Sequence, residues 1–448
     1  YIEFYIKAKV GIKMKEIADA ITSEYLSYGI NEDISIYEGR FCIYLDKKYR
    51  CNGKIYYKMT PPISISFKAD IGCVEEIDNE DDNLALDYDN AILEVHGYKI
   101  ISITINTLSE FSVEGYINDD CIKSKNSYVE YVDFNIINLD KIPGKLIKYN
   151  DKVYAGRIEF DINDYVVTID KRYDYRKELK SELKSKSGAI ITHIGRIRRK
   201  DSRIFRTNNT INLLDRISTA LSFMCGRYVG FCLAKGYRSG NEVYRIWNEN
   251  QISPFRYVPT WSDTLSNYHN MEKYISLMCK KLEDFYYGSA IKSVVDWYIE
   301  SLGSATMENN IISVQIALET LSYVILVEQN KILTDEAFDC NLASKNIRLL
   351  LDTCKIPYGK HELNIFDNII KNKFDDGVDL VIYLRNSIVH PSRKTHRAVL
   401  EVEDIWNIIS IGTRYIELVL LFILGYRGEY SNRLVERCYG EVEVVPWN

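Results

Sequence analysis

The sequence predicts an α+β protein with its strands and helices segregated along the chain. Three observations carry this. Short β-branched and aromatic runs, many of them alternating, fill the first half. After Pro254 and Pro259 the apolar period lengthens to that of amphipathic helices and stays there. Between the two regimes, Ser253–Thr260 has the composition of a linker. The expected organisation is a β-rich domain over 1–260, with a sub-boundary near 187, an all-α bundle over 261–430, and a tail over 431–448.

In chain order, Lys13–Ser27 has the pattern of a helix. Strands are expected at Lys54–Lys58, Ile63–Phe67, Ile100–Ile105, Val153–Phe160 and Tyr165–Ile169, separated by Asn, Asp and Gly clusters. Segment 75–94 carries nine acidic residues and no Lys or Arg. It lacks the Asp-x-Asp-x-Asp-Gly order of a calcium loop, so it reads as a solvated loop. A strand over Ala189–Arg199 leads into a basic stretch. From Arg196 to Arg206 there are six Lys or Arg and one Asp. Arg196, Arg198 and Arg199 are candidate RNA contacts, with a charged strand and turn as the even alternative. Asn212–Gly226 then reads as an amphipathic helix.

Beyond the linker, helices are expected at Tyr274–Phe285, Ala290–Ser301, Glu308–Gln329, Asn341–Thr353, Leu363–Lys371, Phe374–Val389 and Ala398–Leu424, a series that makes an antiparallel bundle. The most apolar run, Ile416–Leu424, is too short to span a bilayer and reads as the buried end of the last helix. No repeat of 20–50 residues is present.

Composition excludes several classes. A net charge of −6 rules out a general polyanion binder, so nucleic-acid contact must come from local patches. The 10 cysteines form no Cys-x-x-Cys and none pairs with His at zinc spacing. With no secretory leader evident, reduced thiols in a cytoplasmic protein are the expectation, with no membrane partner, cofactor or metal. P-loop, dinucleotide, His-Glu-x-x-His and Gly-x-Ser-x-Gly motifs are absent.

One segment gathers chemistry. Val381–Pro391 contains Arg385, Asn386 and His390 at the end of an apolar helical stretch. Arg is a fixed fork of donors suited to a phosphate. Asn can orient a partner or donate to an oxygen. His moves protons near neutral pH. On a continuous helix Arg385 and His390 would point about 140° apart. Pro391 disfavours the α region for His390, so its ring is expected at a helix end, free to swing back. From Leu380 to Leu400 there is no Asp or Glu, and Arg393, Lys394 and Arg397 extend the positive flank as candidate RNA contacts. His396 reads as a loop residue and His193 as a structural one. A bare Arg-x4-His at a helix end often only caps carbonyls. The adjacent Asn, the core-like residues before it and the cationic flank weigh against that.

Arg385-Asn386-x3-His390 resembles the Arg-x4–6-His motif of HEPN-domain ribonucleases. The wider region resembles their ApeA-like anti-phage branch. Asp296-Trp297-Tyr298-Ile299, the Ser313–Leu321 segment and the Arg-Asn-His segment follow in that branch's order. Upstream, Thr192-His193-Ile194-Gly195-Arg196 and Leu221–Gly226 resemble the domain joined to it. The resemblance covers about residues 190–425. It implies a C-terminal HEPN bundle, a homodimer or higher homo-oligomer with a composite cleft, and metal-independent RNA cleavage in phage defence. It implies a phage-derived trigger and a controlling N-terminal region. His390 then moves protons, Arg385 grips phosphate and Asn386 positions one of them. Glu319, mid-stripe on a neighbouring helix, reads as a bidentate partner of Arg385, with an exposed Glu at the stripe edge as the alternative. The alternative is a non-catalytic RNA-binding or dimerising adaptor.

Overall fold

The computed structural model describes residues 17–76, 91–98, 101–140, 142–262, 267–366, 368–390, 400–435 and 441–448. Most of the acidic segment 75–94 and the flank residues Arg393, Lys394, His396 and Arg397 lie outside them. The described chain is α+β, with strands first and helices last.

Six antiparallel strands close into a barrel: β1 (Ile34–Tyr44), β2 (Lys48–Lys58), β3 (Ser64–Glu75), β4 (Ala91–Val95), β5 (Ile101–Leu108) and β6 (Ser112–Ile117). The order is β1-β2-β3-β6-β5-β4, so two three-stranded meanders are joined edge to edge and no sheet edge is left bare. Period-two alternation turns Ile55, Tyr57, Ile65, Phe67, Leu93 and Ile103 inward. Gly115 sits at a close approach between strands. A Cβ there would lie 2.2 Å from the Thr104 carbonyl oxygen and 2.8 Å from the Phe67 ring.

The next ten strands are β7 (Cys121–Lys123), β8 (Tyr128–Val129), β9 (Tyr131–Ile137), β10 (Lys145–Tyr149), β11 (Lys152–Ile162), β12 (Tyr165–Lys171), β13 (Ile191–Arg199), β14 (Phe205–Arg206), β15 (Gly230–Arg238) and β16 (Asn241–Asn248). Eight of them form one sheet in the order β10-β11-β12-β13-β9-β15-β16-β7, and β8 pairs with β14. Two helices accompany the sheet, α1 (Lys177–Ser185) and α2 (Thr210–Cys225). Gly226 ends α2 in the left-handed region at φ 61°, the conformation that suits a glycine after a helix.

The sheet is buried on both faces. Val132, Phe134 and Ile136 share a core with the helices that follow. Ile137, Ile191, Ile194 and Trp247 share the barrel's core. Trp247 is the joint: its ring stacks on Tyr98 at 4.3 Å and meets Tyr37 edge-on at 6.4 Å.

Two expectations are corrected here. The sub-boundary near 187 falls inside the sheet, because β12 and β13 are paired neighbours joined through α1. The change of fold unit comes between Ile117 and Cys121, where the barrel ends and the sheet begins. The helix expected over 13–27 is absent from its described part. Ala20 donates to the Lys148 carbonyl at 2.8 Å and Lys148 donates to Ala18 at 3.0 Å. The backbone is thus satisfied by edge strand β10 rather than by itself, and only Glu24–Ser27 coils, as a 3₁₀ turn capped by Ser23.

The helices are α3 (Tyr268–Lys281), α4 (Gly288–Gly303), α5 (Met307–Tyr323), α6 (Asp335–Cys340), α7 (Ala343–Thr353), α8 (Asn368–Lys373), α9 (Gly377–Val389) and α10 (Val402–Ile423). α5 runs on as a π-helical turn, Val324–Gln329. By length and composition, the α5 segment Met307–Gln329 and α10 could each cross a membrane. In the fold, 67% and 78% of their apolar windows are buried inside the protein, as in core helices. The segment after 430 is not a free tail. β17 (Glu429–Tyr430) pairs with β18 (Glu443–Val444), and the Trp447 indole donates to the Tyr426 carbonyl at 2.9 Å.

Candidate active site

The motif sits on α9, and the start of that helix is tightly held. Asp376 caps it by accepting from the Asp379 N–H at 2.9 Å. Arg348 on α7 forks onto Asp376 at 2.7 and 3.1 Å and also pairs with Asp379. Gly377 leaves no room for a side chain, since a Cβ would lie 2.2 Å from the Tyr415 hydroxyl. Leu380, Val381 and Leu384 then face the core, which fixes the helix rotation and leaves Arg385 and Asn386 half-buried at its edge.

At the far end the helix stops as the Pro391 argument requires. His390 still donates its N–H to the Asn386 carbonyl at 3.1 Å. Its own backbone is extended, at φ −103° and ψ 108°, and its side chain is exposed. Arg385 Nη1 donates to Asn386 Oδ1 at 3.2 Å. That bond ties the amide to the guanidinium and sets its orientation.

α9 and α10 run antiparallel. Gly377 lies against Tyr415 and Ile411, and Gly412 against Val381. The His390 end of α9 is therefore beside the start of α10. Three apolar side chains on these two helices lie in the open: Val389 at 42% exposure, Val402 at 60% and Trp406 at 48%. The sequence reading missed them. Trp406 carried the signal, because it lies about 100° off the buried stripe of Ile405, Ile408 and Ile409.

The Glu319 expectation is corrected. Glu319 accepts from Gln315 Nε2 at 2.6 Å, one turn back on α5. Among the described residues no ion pair joins it to Arg385. An i,i+4 partner on the same helix is already in reach and leaves the longer span across helices unmade.

Of the two even readings of the basic stretch, the structure has the charged strand and turn, with most of its cations paired. Arg196 is forked onto Asp133 at 2.7 and 2.8 Å and lies over the Tyr131 ring at 4.1 Å. Arg198 faces Glu159 at 3.8 Å, Arg199 pairs with Asp201 at 2.9 Å, and Lys200 with Asp161 at 2.9 Å. Asp133 comes from the paired strand β9, Glu159 and Asp161 from β11 and Asp201 from the turn after β13 itself, so the local charge is largely neutralised. His193 is structural. It is fully buried, Nδ1 lies 3.1 Å from Thr192 Oγ1, and burial pushes its pKa well below the usual value. Among the described residues no group of three His, Cys, Asp or Glu is placed to hold a metal ion.

No solved structure matches this chain. Residues 124–258 match the model of the YopA central domain. Residues 284–444 match that of the YopA C-terminal domain. Over 445 residues the chain is 29% identical to the SPbeta prophage-derived uncharacterized protein YopA of Bacillus subtilis (strain 168), covering 96% of this chain and 98% of that protein. The sequence similarity to YopA thus runs nearly end to end, through the segments that form barrel, sheet and bundle.

Proposed function

We propose that this chain is a metal-independent endoribonuclease of the HEPN type, cleaving RNA at a site that two copies build together. The observation that carries the reading is the end of α9. An exposed His390 turned out of the helix follows an arginine whose guanidinium is tied to Asn386, and the adjacent Val389 is exposed, as are Val402 and Trp406 on α10.

The chemistry follows from the groups. Cleavage needs a base for the 2′-OH, an acid for the leaving 5′-oxygen, and positive charge on the pentacoordinate phosphorus. The 2′-oxygen attacks phosphorus as one imidazole takes its proton. The P–O5′ bond breaks as a second imidazolium gives a proton to the leaving oxygen. The products are a 2′,3′-cyclic phosphate and a 5′-hydroxyl, and Arg385 steadies the phosphate throughout. One His390 cannot hold both roles at once, so a second copy supplies the other. An isologous contact through Val389, Val402 and Trp406 would bring the two motifs face to face. The relative's printed name places it in a prophage, which fits a role between phage and host. The barrel and sheet then serve as sensor or restraint.

The test separates cleavage from the adaptor alternative. Purified protein is incubated with RNA in EDTA, and the product ends are mapped. Cleavage with cyclic-phosphate ends is expected. Mixed dimers of wild-type and His390→Ala chains, isolated on two tags, should cleave more slowly than wild-type dimers. A protein that binds RNA but leaves it whole, with any divalent ion, is the adaptor. Mixed dimers as fast as wild type would sink the shared site.

A further inference from the structure

A cleft of about 230 Å³ opens where the sheet meets the bundle. Asp215, Ser218, Thr219 and Ser222 of α2 form one wall. Lys292, Val295 and Asp296 of α4 form the other, and Tyr228, Asn250 and Gln251 lie between. Ligand pockets of drug size run to roughly 300–1,000 Å³, so an occupant here is a small molecule.

The cleft is rich in acceptors. The Asp215 carboxylate makes no hydrogen bond among the described residues, and burial raises its pKa while Lys292 opposes the rise. Asp296 accepts from the Tyr228 hydroxyl at 3.2 Å, and burial raises it too. Three of the neighbouring donors are already engaged, while the Ser218 hydroxyl, which accepts from the Phe231 N–H at 3.3 Å, and the Lys292 ammonium donate no hydrogen bond among the described residues. Thr219 gives its hydroxyl hydrogen to the Asp215 carbonyl at 3.0 Å, Ser222 to Val229 at 3.1 Å, and Asn250 Nδ2 donates to Phe231 at 2.8 Å. Two carboxylates against one ammonium leave the cleft net negative. Gly230 keeps its floor open, since a Cβ there would lie 2.9 Å from that of Asn250.

We infer that this cleft binds a small organic cation carrying an amine or guanidinium group, held between Asp215 and Asp296. Such a ligand supplies the donor that Asp215 lacks and matches the unbalanced charge. It would bridge α2 and α4, which belong to the two separately matched segments. The inference does not depend on the ribonuclease reading, because binding is measured without RNA.

Agmatine is the probe, titrated into the full chain by calorimetry and thermal-shift assay against sodium chloride at matched ionic strength. Wild type is expected to bind and to melt higher. Asp215→Asn keeps the shape and should weaken binding about tenfold, the size of one charge-assisted hydrogen bond. Asp296→Asn should act in the same direction. Lys292→Gln removes the competing internal cation from an exposed position and should tighten binding severalfold. That gain cannot come from misfolding. No agmatine response in wild type, equal binding by both Asn variants, or weaker binding by Lys292→Gln would each overturn the inference.

Discussion

His390→Ala and Arg385→Ala should each remove RNA cleavage while leaving the fold in place. Positioned acid–base groups contribute about 10²–10⁴-fold to rate. In a symmetric site each substitution strikes both halves, so the loss should reach the top of that range. The structure says why folding survives. The His390 side chain is exposed beyond the last turn of α9, and Arg385 bonds to the neighbouring Asn386 rather than to a distant element. Surface changes of this kind move stability by about 0.5 kcal/mol or less. Circular dichroism and melting should therefore match wild type while the cleavage rate collapses. Asn386→Ala should fall between, because it frees the guanidinium without removing it. If either His390→Ala or Arg385→Ala cleaves at near wild-type rate, the chemistry lies elsewhere.

How much of this was legible in the sequence depends on the range of the interaction concerned. Local rules read well. Pro391 dictated that His390 leave the helical backbone, and Gly226 closed α2 where the apolar stripe ran out. The barrel strands β2, β3 and β5 were visible as alternation. Long-range pairing was not. Nothing local says that Asp133 will stand beside Arg196 or Asp161 beside Lys200, so a largely neutralised strand and turn read equally as an RNA surface. Nothing local says that residues 18–20 will lie along β10, so an amphipathic pattern read as a helix. Glu319 failed for a related reason. Its nearer partner, Gln315, was one turn away, and the distant pair to Arg385 had to compete with it. Trp406 was legible in principle, as a large ring out of phase with its helix, but an exposed ring takes its meaning from the neighbours that the fold supplies.

Glu417→Ala should be the most destabilising of the simple substitutions in the helical part. Glu417 lies inside the most apolar run of α10 and is 1% exposed. Its carboxylate gathers three distant pieces of chain. The Trp261 N–H reaches it from the linker at 3.1 Å, the Tyr298 hydroxyl from α4 at 2.6 Å, and the Arg433 fork from beyond α10 at 3.0 and 2.5 Å. Arg433 also donates to the Pro259 carbonyl at 3.1 Å. Burial alone would lower the Arg433 pKa, and the Glu417 charge overrides it and holds it raised. Removing the carboxylate strands that largely buried guanidinium together with a buried tyrosine hydroxyl. Breaking a buried pair from one side costs about 3–5 kcal/mol, and here it also unlatches the linker that joins sheet to bundle. Chemical denaturation should show that loss. Glu417→Gln keeps acceptors for Trp261 and Tyr298 and should cost less. A double change, Glu417→Met with Arg433→Met, replaces both charges by apolar volume and should recover much of the single-variant loss. A Glu417→Ala protein within about 1 kcal/mol of wild type would mean that water reaches Arg433 and that the latch is not buried in solution.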